Sequence, residues 1–180
     1  MAKNKSQAGD NSISNSGNDK ELTQNNYNFS DIMPKRTIIF DLCELIANQN
    51  IPSGNYSIKT NTDWTLKLDY NSVVEYTEIF DEYCDIYLDF EEILKEQYSE
   101  REKMIRKIHH IYRDVRISYP DKKSDGDFIL QKVFVKLSEL VNIANYDPSN
   151  QVEEEEIDRT LVLIMFYTLT KCKLLEVPIK

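Results

Sequence analysis

The strongest constraint on the fold is the spacing of large apolar residues between positions 73 and 94. They recur at alternating intervals of three and four residues, in the series Val73, Tyr76, Phe80, Tyr83, Tyr87, Phe90 and Leu94. This spacing follows the 3.6-residue period of an α-helix and places the series on one face. Carboxylates fill most of the other positions from Glu75 to Glu96. We therefore predict one amphipathic helix from Ser72 to Tyr98, with an acidic outer face.

The prolines and glycines support a helical chain, because almost all of them lie between or outside the patterned segments. A proline inside a helix would cost about 3 kcal/mol. The capping-box motif "SERE" at Ser99 to Glu102 predicts the start of another helix. The predicted helices span 34–49, 72–98, 99–119, 127–145 and 153–175. The predicted fold class is all-α, with a single domain of about five helices at residues 32–180.

Two segments depart from the helical pattern. Residues 1–31 are rich in Asn, Ser, Gly and Asp and have few large apolar side chains. Such a segment cannot offset the entropy cost of ordering, so we predict a disordered tail. Between helices 1 and 2, apolar residues alternate with polar ones at Tyr56 and Ile58 and again at Trp64, Leu66 and Leu68. Alternation of this kind predicts a short β-hairpin or an extended connection.

The longest apolar run, "LVLIMFY" at Leu161 to Tyr167, is too short to span a bilayer, which needs about 20 residues. We predict a central core helix at this position. The three cysteines, Cys43, Cys84 and Cys172, have apolar neighbours, and the chain starts without a signal peptide. Reduced, buried thiols in a cytoplasmic protein are the simplest interpretation.

Composition limits the classes of function. The net charge of −9 argues against general nucleic-acid binding and against an anionic membrane surface. The predicted folded part has two glycines, Gly54 and Gly126, so it lacks a Gly-rich phosphate loop. No cofactor is expected.

Enzyme chemistry is also not expected. The two histidines, His109 and His110, are adjacent and point about 100° apart on a helix, so they do not form a metal site together. A nucleophilic cysteine would need a nearby histidine. The many carboxylates follow a solvated helix face. We predict a non-enzymatic protein with no metal site.

One basic stripe lies on the third predicted helix, at Arg106, His109 (or His110), Arg113 and Arg116. One interpretation is a phosphate or RNA contact surface. The other, which we favour, is that the stripe pairs with the acidic second helix across an antiparallel hairpin.

The tail has two interpretations. It is a plain linker, or it orders only on assembly with a partner. Asn and Gly recur around a lone apolar residue, Ile13, in "AGDNSISNSGN". Stacked copies in a homo-oligomer would form a small β-structure around Ile13.

The tail tract looks similar to tracts found beside helical domains in bacterial conflict proteins. The segments "NIPSGNYSIKTNTDWTLKLDYNSVVEYTEIFDEY" (50–83) and "TLVLIMFYTLTKCKLLEVPIK" (160–180) resemble the helical C-terminal domain of bacterial three-component, ABC-ATPase-linked anti-phage systems. The matching positions at the chain end are Phe166, Tyr167, Cys172, Leu175 and Pro178, and Lys171 and Lys173 depart from the pattern.

The resemblance implies a helical module that usually follows a separate effector domain. Here only the tail precedes it, so we expect an adaptor or sensor-coupling role in which the chain docks an ATPase-containing protein partner. The expected contact is the groove between the second and fifth predicted helices. The alternative is an acidic, antitoxin-like or phage-encoded regulator that neutralises a basic partner.

Overall fold

The computed structural model describes residues 33–49, 64–143, 153–171 and 173–178. Seven α-helices occur in these ranges, and no strand does. They are α1 (Arg36–Ala47), α2 (Trp64–Tyr70), α3 (Glu75–Glu82), α4 (Cys84–Gln97), α5 (Arg101–Ser118), α6 (Gly126–Ile143) and α7 (Glu154–Thr170). A 3₁₀ turn at Pro120–Lys122 joins α5 to α6. The all-α class is confirmed, with seven described helices where about five were predicted.

Helix α7 lies at the centre, as the apolar run predicted. It packs against α1, α3, α4, α5 and α6. Every residue from Thr160 to Thr170 is buried except Val162, which is partly buried. Burying each large apolar side chain contributes roughly 1.5–3 kcal/mol, so this helix supplies much of the driving force for folding.

Aromatic rings from three helices surround Phe166 of α7. The ring centroids of Trp64 and Phe80 lie 4.9 Å from that of Phe166, and that of Tyr87 lies 4.6 Å away. Each pair of this kind contributes about 0.5–1.5 kcal/mol beyond its buried area. The cluster fixes α2, α3 and α4 against α7.

The hairpin prediction is wrong for residues 64–70, which form α2. Trp64 and Leu68, four positions apart, face the core, whereas Leu66 is exposed. A separation of four positions is the spacing of a helix. The contact of Trp64 with Phe166 favours this helix over the strand that the alternating pattern indicated. Tyr56 and Ile58 lie outside the described residues.

The predicted single helix from Ser72 to Tyr98 is wrong, because it is two helices separated at Tyr83. The backbone N–H of Tyr83 bonds to the carbonyl of Phe80 at 3.1 Å, a 3₁₀-type bond that interrupts the α-helical series. Helix α3 therefore ends at Glu82 and α4 begins at Cys84.

Two predicted boundaries also change. Helix α5 begins at Arg101 with Glu100 at the N-cap and no side-chain cap bond, so the predicted capping box does not form. Helix α7 ends at Thr170, not at Leu175. After it, Leu174 and Leu175 are buried in an irregular C-terminal segment, where Leu175 has a φ of 63°. Cys43 is buried, Cys84 is half-buried, and both are free thiols.

Candidate functional site

The C-terminal segment is attached to the end of α2 through Asn71. The Asn71 side-chain amide donates to the carbonyl of Glu176 at 2.8 Å, and its oxygen accepts the N–H of Glu176 at 3.0 Å. The same amide nitrogen donates to the carbonyl of Lys67 at 2.7 Å. Asn71 is buried, so these bonds satisfy polar groups that water does not reach.

The start of α6 meets the same point. The N–H of Gly126 donates to the Asn71 carbonyl at 3.0 Å. A Cβ atom at position 126 would lie 2.5 Å from that carbonyl oxygen and 2.4 Å from Cγ2 of Val73. Glycine is required here because the two chain segments approach so closely.

Asp127, the next residue, caps α3. Its carboxylate accepts the N–H groups of Val74 and Tyr76 at 2.7 and 2.9 Å, and that of Glu75 at 3.2 Å. These N–H groups lie at the start of α3, where no carbonyl group of the helix itself is available to accept them. Residue 71, the starts of α3 and α6, and the C-terminal segment thus form one hydrogen-bonded junction.

Lys67 adds a buried amino group beside this junction. Its side chain is fully buried, and its Nζ donates to the carbonyl of Leu169 at 3.4 Å, near the C-terminal end of α7. Lys67 therefore connects α2 to the central helix.

Four large apolar side chains around the junction remain exposed. They are Leu66 (55% exposed), Tyr70 (47%), Val74 (66%) and Val177 (51%). Leu66 and Val177 are each next to a residue that hydrogen-bonds to Asn71. Tyr70 and Val74 lie within three positions of Asn71 in the sequence. Grouped exposed apolar residues are typical of protein-interaction sites. We call these four residues the Asn71 surface.

The basic stripe of α5 lies partly under the C-terminal segment. His109 Nδ1 lies 2.8 Å from the Lys173 carbonyl oxygen, and Arg116 forms an ion pair with Glu176 at 2.5 Å. Arg106 is half-buried and Arg113 is exposed. Arg116 therefore pairs with the C-terminal segment and not, as predicted, with the acidic helix.

Burial is the largest influence on His109 and lowers its pKa, and the charges of Lys173, Arg113 and His110 lower it further. The hydrogen bond to the Lys173 backbone opposes this shift. His109 is consequently neutral at neutral pH. Its position against a backbone carbonyl fits a structural role.

The outer face of α3 and α4 is acidic. Its exposed carboxylates are Glu75, Glu78, Asp81, Glu82, Asp85, Asp89, Glu92 and Glu96. Glu91 differs, because it is half-buried and pairs with Lys171 and, at 3.2 Å, with Lys95. Burial alone would raise the pKa of Glu91, but hydrogen bonds and charges from these two lysines lower it.

Three clefts open on the surface of the described part. One, of about 440 Å³, lies between α4 and the start of α1, beside Met33, Asp89 and Ile93. A second, of about 410 Å³, lies between α5 and α6. The third, of about 370 Å³, lies between the α3–α4 junction and α7, where the sequence predicted a groove. It is lined by Glu82, Tyr83, Glu155, Asp158, Arg159 and Val162.

Neither histidine lines any of these three clefts. In the ranges that the structure describes, no three His, Cys, Asp or Glu side chains are grouped to hold a metal ion. No helix within those ranges is both long and apolar enough to cross a membrane. Ile13 and Cys172 lie outside the described residues.

Comparisons with known proteins find no matching family model, no matching curated protein and no matching solved structure.

The sequence pattern did not single out Asn71, Asp127 or Lys67. One local signal was present in the sequence: Asn71 and Ser72 are both residues that favour turns. In the structure, Ser72 has a φ of 54°, in the left-handed region.

Proposed function

We propose that this chain is a non-enzymatic helical module that docks a partner protein through the Asn71 surface. The observation that carries the proposal is the position of the two segments that resemble the anti-phage domain. Residues 50–83 and 160–180 meet where Asn71 bonds to Glu176 and where Trp64 and Phe80 pack on Phe166. All four residues of the Asn71 surface belong to these two segments.

The partner proposed from the resemblance is the ABC-type, ATPase-containing component of a bacterial anti-phage system. An exposed apolar surface suits such docking, because burial of apolar area is the main favourable term in protein association. Its centre is rigid, since Asn71 and Gly126 fix it by hydrogen bonds to two other segments. A preformed surface lowers the ordering cost of binding.

The test is a binding titration between the full chain and any ABC-type ATPase encoded beside its gene. We expect the double variant Tyr70→Ser, Val74→Ser to lose at least tenfold in affinity. Ile117→Ser, which also removes an exposed apolar side chain (70% exposed), is the matched control and should bind normally. Unchanged binding of the double variant would contradict the proposal.

A second candidate function rests on the acidic face of α3 and α4. Eight exposed carboxylates there suit an antitoxin-like regulator that neutralises a basic partner. The groove beside Glu82 extends this acidic surface to Glu155 and Asp158 of α7.

Salt separates the two candidates. Exposed charges are screened over about 8 Å at physiological ionic strength, so binding at the acidic face should weaken steeply as salt rises. Binding at the Asn71 surface should change little. A small basic toxin gene beside this one would favour the regulator, and an ATPase gene would favour the adaptor.

A further inference from the structure

Side chains from elsewhere in the domain hold residues 173–178, which we call the strap. None of these six residues belongs to a helix or a strand. Asn71 bonds to both backbone groups of Glu176, and His109 Nδ1 lies 2.8 Å from the carbonyl oxygen of Lys173. A segment held by a few contacts of this kind can open locally, without unfolding of the elements around it.

The strap is closed against the core under backbone strain. Leu174 and Leu175 are buried, so closure covers two large apolar side chains. In this position Leu175 has a φ of 63°, in the left-handed region that disfavours residues with a Cβ atom. Strain of this kind persists only where the surroundings hold the residue, and switch regions are among the places where it occurs. Opening of the strap would release this strain, which offsets part of the gain from burying the two leucines.

Helix α7, which precedes the strap, is held by other contacts. It packs against α1, α3, α4, α5 and α6, and its residues Leu163 and Ile164 are fully buried. The strap joins α7 only near its last turn, where the N–H of Lys173 donates to the carbonyl of Thr168 at 3.2 Å. The middle of α7 therefore stays covered when the strap opens.

We propose that the strap opens and recloses as one unit while the helices stay folded, and that its closure completes the Asn71 surface. Val177 is the one residue of that surface that belongs to the strap. Opening therefore removes Val177 from the surface and exposes the Asn71 amide to water. A partner that contacts Val177 in its closed position favours the closed state. This regulatory role rests on the proposed function, whereas the opening itself does not.

Amide hydrogen exchange of the full chain, followed by NMR, tests the opening. The N–H of Glu176 bonds to the Asn71 side chain, and that of Lys173 bonds to a carbonyl of α7, so opening exposes both to water. We expect both amides to exchange at least tenfold faster than that of Ile164 and to depend less on urea, because opening exposes little surface. If both instead match Ile164 in rate and in urea dependence, the strap leaves only when the domain unfolds, and the proposal is overturned.

Glu176→Pro should favour the open state, because proline has no N–H to donate to Asn71. The Lys173 amide should then exchange about tenfold faster, the effect of one lost hydrogen bond, while that of Ile164 stays unchanged. Glu176→Gln is the matched control, since it keeps both backbone groups and loses only a partly exposed ion pair with Arg116. Its Lys173 amide should exchange at the wild-type rate. Equal acceleration of Lys173 and Ile164 in Glu176→Pro would show that the strap and the helices open together, against the proposal.

The regulatory role is tested by repeating the exchange measurement with the ABC-type ATPase of the binding titration, at about a hundredfold excess over its Kd. Exchange of the C-terminal peptide, followed by mass spectrometry, should slow at least tenfold, because the bound partner holds the strap closed. The Tyr70→Ser, Val74→Ser variant should show no slowing at the same ATPase concentration. Unchanged exchange in the wild-type complex would overturn the regulatory role. Failure of the wild-type chain to bind would contradict the docking proposal alone, because exchange in the free chain decides whether the strap opens.

Discussion

The side chain of Asn71 bonds to both backbone groups of Glu176, across 105 positions of sequence. One amide side chain thereby pairs with the C-terminal segment as a neighbouring strand would. The segment carries Leu174 and Leu175 into the core and brings Glu176 to Arg116. The Asn71–Glu176 contact therefore links α2, α5 and the chain end.

Replacement of Asn71 by alanine should reduce the free energy of unfolding by about 2–3 kcal/mol, because it removes the three hydrogen bonds of a buried amide side chain, two of which hold the C-terminal segment at Glu176. Urea denaturation measures the change. Asn142→Ala, at an exposed position of α6, is the control and should be near neutral. Equal stability of the two variants would mean that water replaces the Asn71 side chain without cost.

Gly126→Ala should destabilise the fold by about 1–3 kcal/mol, since the added methyl group would overlap the Asn71 carbonyl and Val73. Thermal unfolding measures this loss. Ser124→Ala, two positions earlier and exposed, should leave the melting temperature unchanged. A stable Gly126→Ala protein would show that α6 can move away from Asn71.

Acidification should weaken attachment of the C-terminal segment through His109. Burial lowers the pKa of His109, so the folded state binds its proton less readily than the unfolded state does. The stability that neutral His109 contributes to the folded state is fully present above its pKa in the unfolded state, about 6.5. This stability is lost as the pH falls through the lower pKa of His109 in the folded state. Urea midpoints measured at pH 7.5 and 5.5 should therefore differ more for wild type than for His109→Gln. If His109→Gln shows the same pH dependence as wild type, other groups account for it.

A charge in the middle of α7 should unfold the domain. Leu163→Asp and Ile164→Asp each place a carboxylate at a fully buried position, a change in the class that costs more than about 4 kcal/mol. Val162→Asp is the matched control, because Val162 is partly buried and lines a surface cleft. Circular dichroism should show a folded Val162→Asp protein and unfolded core variants. Folded, monomeric core variants would contradict the central position of α7.

The spacing of apolar residues predicted those helices whose conformation follows from burying one apolar face. The 3.6-residue spacing gave α1, α5, α6 and α7 to within a few residues, apart from the longer C-terminal end expected for α7. The break at Tyr83 was not predictable in this way, since the three-and-four spacing continues through it unchanged. Helix α2 was missed because Trp64, Leu66 and Leu68 alternate with polar residues, which is the pattern of a β-strand. The contact of Trp64 with Phe166 favours the helix instead.

The basic stripe shows the same limit for a candidate site. The sequence placed Arg106, His109, Arg113 and Arg116 along one helix, and they do lie on α5. It did not predict that His109 and Arg116 would contact Lys173 and Glu176. Charge patterns specify what a face can pair with, whereas the packing of helices specifies what reaches it.

The amino-acid sequence by itself determined the helical class and the central place of α7, because a segment that is apolar on all sides has to be covered on all sides. The tertiary structure alone decided the junction of Asn71 with Gly126 and Glu176 and the exposure of Leu66, Tyr70, Val74 and Val177. Those hydrogen bonds join residues far apart in the chain, so each depends on how the helices pack together.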